Sequence, residues 1–198
     1  MKNLLAGLIL FALAAGSVEQ KSAAPGKAMG SPTAPITMEV FSDYECSHCR
    51  HLYEDTLRPL MRDYVAKGKV YLIHRDYPLS QHASARPAAC FANASARVNK
   101  YEEVCAALFR QQETWSANGN VEATVASVLT PAELTKVKAL AKDPKVVAEM
   151  EHDIAMGDKI PITSTPTTVI THKGRSCVVT GPINYAILTK YLDDLLTK

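Results

Sequence analysis

Two cysteines three residues apart, Cys46 and Cys49, stand where the hydrophobic period of the chain changes. Upstream, Ile36 to Phe41 reads as a buried strand; downstream, Leu57, Leu60, Met61, Tyr64 and Val65 recur at helical spacing. The pair therefore sits at a strand-to-helix junction, on the first turn of the helix. Thiols at that spacing close a disulfide or open to a dithiol with little backbone movement. At a helix start, unpaired N–H groups and the positive end of the dipole stabilise an anion, so the more exposed Cys46 is expected to have a depressed thiol pKa. Cys46 is the expected nucleophile and Cys49 the resolving thiol.

The residues around the pair narrow its chemistry. His48 can offer a hydrogen bond or a positive charge to a Cys46 thiolate, favouring the reduced form and making the disulfide more oxidising. A haem attachment site wants Cys-x-x-Cys-His, and Arg50 occupies the histidine position. Structural zinc needs about four ligands, and no second Cys-x-x-Cys exists, so neither a metal nor another cofactor is expected. Inert core cysteines are hard to reconcile with Ser47, His48 and Arg50 packed around them.

Residues 1–16 have the form of a secretory signal: Lys2, an apolar run from Leu4 to Leu13, then Ala14, Ala15 and Gly16 for cleavage. The run is far short of the ~20 residues that span a bilayer. Export implies an oxidising compartment, where disulfides persist. With 22 Lys plus Arg against 20 Asp plus Glu, the net charge of +2 gives no reason to expect a nucleic-acid partner. Residues 17–35, rich in small residues, Lys, Gly and Pro, read as a flexible tether.

Glu39 is a misfit in the first strand. It is read either as an edge residue with its carboxylate in water or as a buried acid beneath the cysteines, relaying a proton to or from Cys49. The helix from Ser47 to about Lys67 contains Pro59, which predicts a kink near Asp55 to Pro59. Lys69 to Asp76 reads as a second strand, parallel to the first because a long helix connects them, with His74 a structural residue. Residues 81–156 are helical throughout, with a capping box at Thr130–Glu133 and a second start at Asp143-Pro144. Cys90 and Cys105 lie about equally far on either side of a break near Asn99, open to either a structural disulfide or two buried thiols. Thr167 to His172, a turn at Lys173-Gly174, and Cys177 to Thr180 form a hairpin, with Cys177 read as a small core residue. A closing helix from Ile183 to Thr197 places Ile187, Leu188, Tyr191, Leu192 and Leu195 on one face.

Phe41-Ser42-Asp43-Tyr44-Glu45-Cys46-Ser47-His48-Cys49-Arg50, then Tyr77-Pro78-Leu79 with His82 and Ala85-Arg86-Pro87-Ala88-Ala89, then Ser164-Thr165-Pro166-Thr167 occur in that order. In this the chain resembles the DsbA-like branch of the thioredoxin superfamily, the periplasmic thiol-disulfide oxidoreductases, over roughly Ile36 to Leu196. The resemblance implies an α/β fold: a thioredoxin-like mixed sheet flanked by helices, residues 36–80 and 157–198, with an all-helical subdomain at 81–156 inserted. It implies that Pro166 is a cis-proline facing the cysteines and that Thr165 and Ser47 contact substrate. Glu39 matches the family's buried acid with one extra residue in the loop before Cys46, and Ser47 stands where the prototype has proline.

The implied activity is oxidation of reduced or unfolded exported proteins by a monomer, with reoxidation by a DsbB-like membrane partner. A reductase or isomerase of the same fold is the first alternative. A peptide-binding chaperone with an incidental redox pair is the second.

Overall fold

The computed structural model describes residues 26–160 and 162–198; the signal-like segment 1–16 lies outside them. Its centre is a five-stranded sheet in the order β1-β3-β2-β4-β5, formed by β1 (Ala28–Met29), β2 (Ile36–Ser42), β3 (Val70–Asp76), β4 (Thr167–His172) and β5 (Arg175–Thr180). β2 runs parallel to β3 and antiparallel to β4, with Ile36 opposite Val70 and His172. β2 is thus central and covered on both faces, which is why its burial runs almost without interruption even through Glu39 and Ser42. The hairpin β4–β5 turns at Lys173 and Gly174, both at positive φ, the conformation a tight two-residue connection requires.

Helix α1 (residues 47–65) leaves the end of β2 and returns the chain to β3. Pro59 lacks an N–H, and the expected irregularity takes the form of two π-helical turns, Tyr53–Leu57 and Met61–Val65, on either side of Arg58–Leu60. In the first of them Arg58 N–H reaches back five residues to the Tyr53 carbonyl. Between β3 and β4 come α2 (Ala85–Ser95), α3 (Tyr101–Arg110), α4 (Gln112–Asn118), α5 (Val121–Ala126), α6 (Pro131–Leu140) and α7 (Pro144–Asp158). Asn99, at φ 57°, breaks the chain before α3, and Thr130 with Glu133 forms the capping box that opens α6. α7 returns across the sheet so closely that a Cβ on Gly157 would lie 2.6 Å from the Tyr77 ring.

Three expectations need correction. The tether reading fails for its last part: β1 pairs with β3, and Lys27 is buried against Asp76 and Asp153. Cys177 is exposed, because β5 is an edge strand whose residues are not covered. In α8 (Tyr185–Leu196) only Leu188 and Leu192 are fully buried, whereas Ile187 and Tyr191 face outward, since the helix packs on α1 over a narrower stripe than its apolar sequence offers.

Candidate active site

The loop from β2 into α1 makes the cysteine site. Cys46 is the residue before the first helical turn, in extended conformation, and its N–H donates to the Asp43 carbonyl at 3.2 Å. Its own carbonyl accepts from Cys49 N–H and Arg50 N–H, both at 3.1 Å, so the helix starts on Cys46 itself. Both cysteines are free thiols, and the site is in its dithiol form.

The two sulfurs differ sharply. A hydrogen bond from the Cys49 thiol lowers the Cys46 thiol most; burial opposes it, and the N–H groups of Cys49 and His48 help, leaving the pKa at about 5. Burial pushes the Cys49 thiol well up, and the neighbouring Cys46 adds to that. Asp43 N–H donates to Cys49 Sγ at 3.4 Å. At neutral pH the pair is therefore a Cys46 thiolate held by a Cys49 thiol, the asymmetry that thiol-disulfide exchange needs.

Opposite the pair, the Thr165–Pro166 peptide bond is cis. The Thr165 carbonyl lies 3.4 Å from Cys46 Sγ, placing the segment before β4 directly beside the reactive sulfur. Ser47 and His48 are exposed on the rim, and the contribution of His48 to the thiolate here is its backbone N–H. Among the described residues, no group of three His, Cys, Asp or Glu side chains is placed to hold a metal ion.

Glu39 is buried, but not beneath the cysteines. Side chains of a strand alternate, and Val40 and Ser42 line a small cavity with Tyr53 and Leu57 of α1, so Glu39 points to the other face of the sheet. There its Oε1 accepts from Arg75 at 2.9 and 3.1 Å, and Arg75 also binds Asp153 of α7 at 3.0 Å. Cys90 and Cys105 are likewise separate free thiols. Counting residues from Asn99 ignored helix faces. Cys105 shares a face with Tyr101 and its Sγ lies 2.9 Å from Tyr44 Oη, whereas half-buried Cys90 shares a face with Arg86, which pairs with Glu151 of α7.

The residues that sequence reasoning missed are the loop itself and its grips. Asp43 is buried, and its carboxylate accepts from Glu45 N–H at 2.7 Å and Leu79 N–H at 2.8 Å and meets His82 Nδ1 at 2.7 Å. Glu45 accepts from Ser84 N–H at 2.8 Å. Gln112 Nε2 donates to the Tyr44 and Cys46 carbonyls at 2.6 and 3.0 Å. Two acids just before a cysteine were a usable signal. Nothing near Gln112 in sequence points to the loop.

A family model described as Thioredoxin matches residues 22–194. No curated protein matches the sequence. Among solved structures, the chain is similar to alpha-DsbA1 of Wolbachia pipientis, with 21% identity over 85% of this chain and 89% of that one, TM-score 0.71. BdbD of Bacillus subtilis shares 21% identity over 89% and 98% of the two chains, TM-score 0.71. DsbA2 of Pseudomonas aeruginosa shares 23% over 85% and 93%, TM-score 0.65. From the family match, the shared fold and the unequal pair of thiols, we conclude that the chain belongs to the thioredoxin family, as a thiol-disulfide oxidoreductase with a DsbA-like fold.

Proposed function

We propose that the protein works as an oxidant, introducing disulfides into exported proteins outside the cytoplasm. The observation that carries this reading is the low Cys46 thiol, at about 5, beside a Cys49 thiol pushed well up. A stabilised Cys46 thiolate favours the reduced protein, and so favours handing the disulfide on.

In the first step a substrate thiolate attacks Cys46 Sγ of the Cys46–Cys49 disulfide. The S–S bond breaks, Cys49 departs and takes a proton, and a substrate–Cys46 mixed disulfide forms. A second substrate thiolate then attacks the substrate sulfur and expels Cys46 as thiolate. The substrate loses two electrons and the protein gains them. Cys46 is the better leaving group because its thiolate is the stabilised one. The segment at Thr165 and Pro166, whose Thr165 carbonyl lies 3.4 Å from Cys46 Sγ, together with exposed Ser47 and His48, is where an extended substrate chain lies. Reduced exported proteins are the partners on one side and a DsbB-like membrane reoxidant on the other, with the protein acting as a periplasmic monomer after removal of residues 1–16. None of the described helices is long and apolar enough to cross a membrane.

The test is a redox titration of the mature protein in glutathione buffers, reading the Cys46–Cys49 state by alkylation and mass. A potential well above that of the glutathione pool is expected. A potential below it would make the protein a reductase.

A further inference from the structure

The loop that presents Cys46 is gripped by the segment after β3 and by the helical subdomain. Asp43 binds Leu79 and His82, Glu45 binds Ser84, and Gln112 binds the main chain on both sides of Glu45. Gln112 lies at the start of α4 and is 3% exposed. Both protons of its amide NH2 are spent on this loop, at 2.6 Å to the Tyr44 carbonyl and 3.0 Å to the Cys46 carbonyl. Next to it, Glu113 accepts from Arg50 of α1 at 2.7 Å.

The geometry matters because the Cys46 carbonyl belongs to the Cys46–Ser47 peptide. Its orientation fixes ψ of Cys46 and with it the aim of the following N–H groups, those of His48 and Cys49, toward Sγ. An unanchored loop would let that peptide rock. The amide donors also place a partial positive charge against the first helical carbonyl, the same sign that favours an anion at this end.

We propose that Gln112 is a positioning residue for the exchange reaction: its amide fixes the backbone on both sides of Glu45, so the helical subdomain governs how Cys46 is presented. The role rests on exchange at Cys46, not on its direction. Gln112 touches no reacting sulfur. The charged and titratable groups on and around the loop include Asp43, Tyr44, Glu45, His48, Cys49, Arg50, His82 and Glu113, and all are kept in the variants below.

The experiment follows thiolate absorbance against pH in the reduced mature protein, with melting recorded in parallel, for Gln112→Met and Gln112→Glu. Methionine keeps the length and removes the donors; the Cys46 titration should move up by about half to one pH unit. Glutamate, held protonated by burial against two carbonyls, keeps one donor of the two and should move it up by less than methionine does. A purely structural role would lower the melting temperature and leave the titration in place, and that result overturns the proposal. If neither variant melts cooperatively, the milder Gln112→Asn decides by the same readout, with an upward shift supporting the role and an unshifted titration sinking it. A low redox potential of the parent protein would end the oxidant reading without touching this one.

Discussion

Adjacent residues of β3 enter two buried polar clusters built on opposite principles. His74 joins Tyr44, Tyr101 and Cys105, with Tyr101 Oη 2.8 Å and Tyr44 Oη 3.3 Å from its Nδ1. Burial drives His74 down to about 3 and pushes both tyrosines and Cys105 up, so at neutral pH no member carries a charge. Arg75 and Asp76 instead join Lys27, Glu39 and Asp153, all buried, with Asn93 donating to Asp76 at 2.7 Å. The neutral cluster backs the loop that carries Cys46. The charged one ties the segment at Lys27, the sheet, α2 and α7 together. A fixed charge beside a thiolate would shift it directly, whereas hydroxyls and a neutral imidazole hold the loop without doing so.

The largest effect should come from the charged cluster. Asp153 serves Lys27 and Arg75 together, so Asp153→Ala takes one hydrogen-bonded carboxylate from each, leaving Lys27 with Asp76 and Arg75 with Glu39. Losing two buried charge-assisted hydrogen bonds costs about 3–5 kcal/mol. Urea unfolding should show that loss, while the Cys46 titration stays where it was. A large shift of the titration would mean that the two clusters are not separate.

The next effect concerns pH. Cys46 titrates at about 5 in the folded protein, against roughly 8.5 for a free thiol. A depressed folded value gives stability that is fully present above the unfolded value and lost as pH falls through the folded one. His74, held near 3 by burial against roughly 6.5 in the unfolded chain, also destabilises the fold on acidification, but equally in both redox forms. The difference in unfolding free energy between reduced and oxidised protein therefore reports the two active-site thiols, and because the Cys49 thiol is pushed well up it stays protonated, folded or unfolded, below about pH 8, where Cys46 alone changes the difference. As pH falls from about 8.5 to about 4.5, the stability of the reduced form relative to the oxidised one should drop by a few kcal/mol. A difference independent of pH would contradict the depressed thiol.

The contrast between the clusters also marks what the sequence could disclose. Strand-to-helix periodicity located Cys46 and Cys49, and capping residues located the start of α6, because both signals are local. Glu39 was legible as an acid out of place, yet its face depended on the strand's phase and on Arg75, 36 residues away. Lys27 looked like part of a tether because its partners, Asp76 and Asp153, lie 49 and 126 residues away. Cys105 and Cys90 lie on either side of Asn99, but helix faces rather than counting decide which thiols meet. Gln112 was invisible for the same reason: its acceptors are carbonyls, which no side-chain pattern reports.

The smallest effect should come from the neutral cluster. Tyr44→Phe removes one hydroxyl that meets Cys105 at 2.9 Å and leaves the ring packed against Phe109, with centroids 4.9 Å apart. His74 keeps Tyr101 as a partner, so no buried nitrogen is stranded. The loss should be about 1 kcal/mol, or roughly 2–4 °C in melting temperature for a chain of this size. Cys105→Ala added to it should cost less than the two changes measured singly, because the pair shares one contact. The Tyr44 carbonyl still accepts from Gln112 in the variant, so the Cys46 titration should not move. A shift there would show that the hydroxyl network, and not the main-chain anchor, sets the reactive sulfur.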